Sequence, residues 1–244
     1  MSSTPCSVRS GCAAVPTGPS PMPCDMRTDG EPRDVAAPPR PSPGFWVNVR
    51  RSLLTYRELS WLWRAAVWCC VVLSLLCAFY PSDHAADYAT SRGGEHVAEV
   101  VAVEEVLRHV NTAAAVILPI VHRDGAGLAQ LAVVTVMGTA ATHGAKRALN
   151  DVEVAGTRLG QRPLRPDSRH NTPSGHSSLA AAAAGFVCRR YGWAWGLLLG
   201  PITGAVMWAR VELDQHTWSA VLSGLFLGVA VVVLCVTARC SSRR

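Results

Sequence analysis

The second half of this 244-residue chain holds a set of residues suited to moving a phosphoryl group. They are Lys146, Arg162 in "GQRP" (160–163), the run "HNTPSGH" (170–176), and Arg210 and His216 in "ARVELDQHT" (209–217). A phosphate monoester carries close to two negative charges near neutral pH, and a site without a metal must meet them with protein cations and donors. Lys146, Arg162 and Arg210 suit that task, arginine as a bidentate fork and lysine as a point charge. Two histidines can divide the remaining labour: a neutral imidazole attacks phosphorus and a protonated one donates to the leaving oxygen. Ser174 and Gly175 stand just before a helix expected to begin near His176. Their backbone N–H groups are expected to face the anion, aided by the positive end of the helix dipole.

These residues need elements that bring them together, and composition says which. The chain is 49% hydrophobic and only 16% charged, and its apolar residues fall in long blocks. Trp61 to Pro81 carries no charge after Arg64, and has tryptophans and Tyr80 where an aromatic belt would sit. Ser219 to Ala238 is a second spanning block. Gly127 to Ala145, His176 to Val187 and Trp193 to Trp208 are weaker and rich in small residues that allow close packing in a bilayer. A sixth segment, Val110 to His122, is short and interrupted by Pro119, with a possible extension back through "EEVLRHV". The expected fold is all-α: a polytopic membrane protein of six helices, over residues 59–240.

Residues 1–58 differ in kind. Ten of the chain's sixteen prolines precede Gly44, amid serine, glycine and scattered charge, so this segment is expected to be a disordered cytoplasmic tail. No apolar run follows Met1, which argues against a cleavable signal peptide, and Met22 and Met26 are alternative starts.

Arg50, Arg51, Arg57 and Arg64 beside the first apolar block place the N-terminus in the cytoplasm, and six crossings return the C-terminus there. Lys146, Arg147, Arg158, Arg162, Arg165 and Arg169 then crowd an outward loop, against the usual bias, and an anionic ligand accounts for them. The formal charge of +6 therefore reflects membrane flanks and one loop, which excludes a nucleic-acid stripe. Cys69, Cys70, Cys77, Cys188 and Cys235 lie in or at apolar helices, Cys6, Cys12 and Cys24 in the tail, and Cys240 near the C-terminus. None has metal-ligand spacing with a histidine, so neither a disulfide framework nor a structural zinc is expected. Asp124, Glu104 and Glu105 read as helix-end or interfacial charges, His143 as a packed polar residue, and His170 as a loop residue.

The order Lys, Arg-Pro, Pro-Ser-Gly-His, then Arg, five residues and His, set between helices of a small membrane bundle, resembles the type 2 phosphatidic acid phosphatase (PAP2) superfamily over roughly Pro119 to Gly228. The resemblance implies a six-helix bundle with no metal or cofactor. In it, Lys146, Arg162, Ser174, Gly175 and Arg210 bind phosphate, His176 is the general acid and His216 the nucleophile. Two departures stand out. Fifteen residues separate Lys146 from Arg162 where about six are usual, leaving Arg158 and Arg165 as competitors. Ala220 occupies the place of the aspartate that fixes the nucleophile's tautomer, leaving Asp214, Glu212 or a carbonyl to orient His216. Both departures resemble the bacterial lipid A phosphatases, which implies a lipid A or similar saccharolipid phosphate on the outer leaflet of the inner membrane. An undecaprenyl pyrophosphate or phosphatidylglycerophosphate phosphatase would use the same residues. A catalytically silent membrane protein is the alternative from another class, and Ala220 is its one support. A vanadate-type haloperoxidase has a similar cradle but is soluble, which the apolar blocks oppose.

Overall fold

The computed structural model describes residues 43–84 and 97–239, and the expected tail through residue 42 lies outside them. Seven α-helices are present among the described residues: α1 (Phe45–Glu58), α2 (Trp61–Ala78), α3 (Ala98–Val121), α4 (Gly125–Leu149), α5 (Gly175–Tyr191), α6 (Gly196–Glu212) and α7 (Trp218–Cys235). A two-stranded hairpin, β1 (Glu153–Val154) with β2 (Thr157–Arg158), lies in the loop after α4.

α1 corrects the expectation that residues 1–58 form a tail. The proline-rich composition ends at Pro43, and the following 14 residues are helical. This helix buries its polar side: Asn48, Ser52 and Thr55 face the bundle, with the Ser52 hydroxyl donating to the Cys235 carbonyl at 2.7 Å. Trp46, Leu53 and Leu54 face outward. Such inversion suits a helix lying against lipid.

Four helical segments are long and apolar enough to cross a membrane: Trp61–Ala78, Gly125–Leu149, Trp193–Glu212 and Trp218–Cys235. The chain is a multi-pass membrane protein. Two of the six expected spans differ from these in a way that packing explains. α3 takes in "EEVLRHV" and carries four charges, of which Glu104 is buried. α5 has only 17 residues, and its run Ala180–Ala184 is buried throughout. A helix enclosed by its neighbours needs small side chains that let backbones approach, not a lipid-facing surface.

α5 packs most extensively on α7. Gly224 and Gly228 make this possible, since a Cβ at either would stand 2.4 Å from the Ser174 or Ser178 carbonyl oxygen. α2 lies along the other side of α7, clasped where the Ser74 hydroxyl donates to the Ser223 carbonyl at 2.9 Å. α3 packs on α5 and α6. Asn111 ties the three together, its amide reaching Thr203 Oγ1 at 2.8 Å and the Ala180 and Leu199 carbonyls at 3.2 and 3.3 Å.

Candidate active site

Each sequence cluster sits where a helix ends, and local geometry explains the spacing. α6 stops at Glu212, and the chain folds back so that the Arg210 carbonyl accepts from the N–H groups of Gln215 and His216, at 3.1 and 3.2 Å. Asp214 takes the left-handed conformation this turn needs, with φ of 50°. The five-residue interval between Arg210 and His216 is thus one turn closed on the helix's own C-terminus. Thr217 then caps α7, its Oγ1 accepting from the Ala220 N–H at 3.2 Å.

Lys146, Arg162, Gly175, His176, Arg210 and His216 line one end of a cavity of about 400 Å³. The rest of the wall runs between α3, α4 and α5 and is mostly apolar, with Val116, Leu131, Val134, Leu179 and Ala182 among its residues, interrupted by His143 and by the hydroxyls of threonines such as Thr139 and Thr142. Six sequence-predicted positions therefore meet at a single cationic mouth above a greasy throat.

The long loop between Lys146 and the Pro-Ser-Gly turn settles which arginine reaches that mouth. Arg158 is consumed by the loop's main chain, donating to the Pro166 and Ser168 carbonyls at 2.9 and 2.8 Å, and it pairs with Asp151 at 3.7 Å. Arg162 lines the cavity, with Nη1 on Gln215 Oε1 at 3.2 Å. Its Nε, like that of Arg210, is buried without a hydrogen-bond partner among the described residues, so the fold itself uses neither donor. Burial, and then the nearby Arg165, push the Arg162 guanidinium below its usual range. Lys146 Nζ donates to the His170 carbonyl at 2.9 Å, which anchors the lysine at the rim.

His216 is 2% exposed. Its Nδ1 lies 2.9 Å from the Asn171 carbonyl and 3.2 Å from Asn171 Oδ1. Both are acceptors, so Nδ1 carries the proton and Nε2 keeps the lone pair that a nucleophile requires. Burial, reinforced by Arg210, Lys146 and Arg162, holds the imidazole well below its ordinary pKa and therefore neutral. Asn171 thus presents two acceptors to Nδ1, one of them a main-chain carbonyl, which is among the alternatives the sequence left open beside Asp214 and Glu212. Sequence reasoning gave Asn171 no role; its position one residue before Thr172, in a run already marked as functional, was the available signal.

Ser174 corrects another expectation. Its N–H donates to the Ala220 carbonyl at 2.9 Å and is not directed at an anion. Ser174 joins α5 to α7, while Gly175 lies beside Lys146, whose Nζ would be 4.0 Å from a Cβ there. Glu104, read from the sequence as a peripheral charge, is buried in the cluster: Oε1 lies 3.2 Å from Arg210 Nη1, 3.6 Å from Arg108 Nη1 and 3.7 Å from His176 Nε2. Its periodicity was a usable signal, because Val100, Glu104, Asn111, Ala115 and Pro119 form the buried stripe of α3.

Comparison with known proteins places this geometry among relatives. The family model described as "PAP2 superfamily" matches residues 127–243. Two proteins of Helicobacter pylori, each named "Lipid A 1-phosphatase", are similar over 131 residues, which is 54% of this chain and 68% of each relative. The one from strain ATCC 700392 / 26695 is 41% identical and the one from strain J99 is 42% identical. A "Lipid A 4'-phosphatase" of strain J99 is 38% identical over 97 residues, 39% of this chain and 48% of that protein. No solved structure matches.

Proposed function

Because the chain belongs to the PAP2 superfamily, we propose that it removes a phosphate from lipid A, or a closely related saccharolipid, through a phosphohistidine intermediate. The observation that carries this reading is the cavity, whose cationic mouth fits a phosphate monoester and whose apolar throat fits the lipid attached to it. The relatives named as lipid A phosphatases support the choice of lipid.

In this mechanism Lys146, Arg162 and Arg210 bind the non-bridging oxygens, with Gly175 at the N-terminus of α5 letting the phosphate approach. His216 Nε2 attacks phosphorus. The P–O bond to the lipid breaks as P–N forms, and His176 gives its proton to the leaving oxygen. A water then attacks the phosphohistidine, His176 takes that water's proton, and breaking of P–N frees phosphate and restores neutral His216. The Asn171 carbonyl stabilises the positive charge that His216 acquires, the task an aspartate performs where one follows the nucleophile.

The same reading has six crossings in the cytoplasmic membrane of a bacterium, both termini in the cytoplasm, and the His216 end of the bundle on the periplasmic face. Residues 59–240 form the catalytic domain. α3 and α5, sheltered by the other helices, complete the six crossings.

The test is mass spectrometry of lipid A from cells that lack a lipid A phosphatase and express this chain, beside H216A. Loss of one phosphate with the wild type alone is the expected result. An unchanged lipid A, with the protein present in the membrane, would reject lipid A as substrate, and turnover of undecaprenyl pyrophosphate would then identify the alternative lipid.

A further inference from the structure

The mouth of the cavity gathers Lys146 from α4, Arg162 from the loop and Arg210 from α6, and Arg108 of α3 lies beside them. His176 has to carry a proton in this company if it is to protonate the leaving oxygen. Burial opposes that proton first, the charges of Arg210, Arg108 and Lys146 oppose it further, and the Glu104 carboxylate is the group that favours it. Each cation disfavours a protonated imidazole, and a carboxylate at ion-pair distance favours it.

From this geometry we infer that Glu104 is a positioning residue of the reaction, keeping His176 protonated as the general acid while it holds the Arg210 fork. The inference rests on the reading of His176 given above. Three features of Glu104 carry it. It is 6% exposed, so its charge acts with little screening. One oxygen, Oε1, is shared between Arg210 Nη1 at 3.2 Å and His176 Nε2 at 3.7 Å, linking a phosphate ligand to the acid. And it projects from α3, which supplies none of the Lys, Arg-Pro, Ser-Gly-His or Arg-His elements, so the bundle brings it there by packing α3 against α5 and α6.

A purely structural role would be met by any group that accepts from Arg210. A glutamine can do so, but it cannot offset charge, and this difference supplies the test. Purified wild type and E104Q are compared with lipid A as substrate across pH. The expected result is a kcat at least tenfold lower at pH 8 with KM within threefold, and a basic limb of the profile moved down by about one unit. E104D, which keeps the charge one methylene further back, should restore most of the rate and most of the limb, and it serves as the reporter if E104Q does not accumulate. A basic limb unmoved in these variants overturns the inference, however far the rate falls. A wild type that cleaves neither lipid A nor undecaprenyl pyrophosphate would instead overturn the function on which it rests.

Discussion

At the Asp124 end of the bundle, Arg190 meets Asp124 through two bonds of 2.7 Å, Tyr191 donates to the same carboxylate at 3.0 Å, and the Gly127 N–H donates at 2.9 Å. Burial pushes the Asp124 carboxyl up, but bonds from Arg190, Gly127 and Tyr191 outweigh it and hold it at about 2. The remaining face of Arg190 is taken by Gln130 and the Thr237 carbonyl. At the other end, Lys146, Arg162 and Arg210 converge on one cavity, and two guanidinium Nε–H groups there have no partner among the described residues. α4 joins the two ends, and its 25 residues rise about 37 Å, enough to span a bilayer's hydrocarbon core. One end buries its arginine and the other half-buries two. Where the bonds are complete, the charge fixes helices; at the other end donors remain that the fold does not use, which the proposed phosphate would take up.

This contrast is sharpest at His216. H216A removes the nucleophile and should lower turnover by about 10⁴-fold or more, with no loss of membrane-inserted protein. H176A removes the acid and should cost about 10²- to 10⁴-fold. Both are read as phosphate release per folded molecule. Either variant retaining more than a tenth of the rate would break the reading of the cationic end as catalytic. Vanadate, which mimics the phosphorane, should compete with the lipid phosphate in the wild type and lose affinity in R210A.

The two loop arginines set the comparison within one segment. R162A should lower activity by about 10²- to 10³-fold, as expected for a donor aimed at developing charge. R158A should leave activity per folded molecule within a few fold and act on stability, because Arg158 holds main-chain carbonyls and not the cavity. Equal losses in the two variants would undo the distinction.

The paired end predicts the reverse pattern. D124N strands the buried Arg190 and should destabilise by about 3–5 kcal/mol, seen as a lower unfolding temperature in detergent, while activity of the folded fraction stays near wild type. The sign with pH follows from a carboxyl held at about 2 against its usual 3.8. The stabilisation is complete above about pH 4 and is lost as pH falls toward 2, so acid should narrow the gap between D124N and wild type.

How far the sequence foretold this division depends on whether a residue's partner is close in the chain. That Gly175, His176, Arg210 and His216 would line one cavity was legible because each stands at or beside a helix end. Arg162 was favoured by its Arg-Pro pair, but Arg158 stayed a competitor because its exclusion depends on how a 25-residue loop folds around its own carbonyls. Glu104 was missed for a related reason: its charge suggests surface, and only the stripe it shares with Asn111 and Ala115 reveals burial. α1 was hidden by the prolines before it and by a burial pattern inverted for lipid.

The smallest loss expected within the site itself probes its least legible contact. Ala220 stands where the resemblance expects an aspartate, and the Asn171 main-chain carbonyl lies 2.9 Å from Nδ1, the place of the orienting group in the proposed mechanism. N171A deletes Oδ1, which touches both Nδ1 at 3.2 Å and the Thr217 N–H at 3.4 Å, but it leaves the carbonyl in place. The tautomer should therefore survive and kcat should fall only about tenfold, an amount suited to losing secondary bonds around a still-oriented ring. A neutral His216 also means that phosphohistidine formation, trapped by a rapid alkaline quench that preserves the acid-labile P–N bond, should persist below pH 6.5 in the wild type, because protonation of the nucleophile is postponed to lower pH. N171A should keep that behaviour. A loss in N171A as large as in H216A would assign orientation to the side chain, and the carbonyl would then be a bystander to the chemistry.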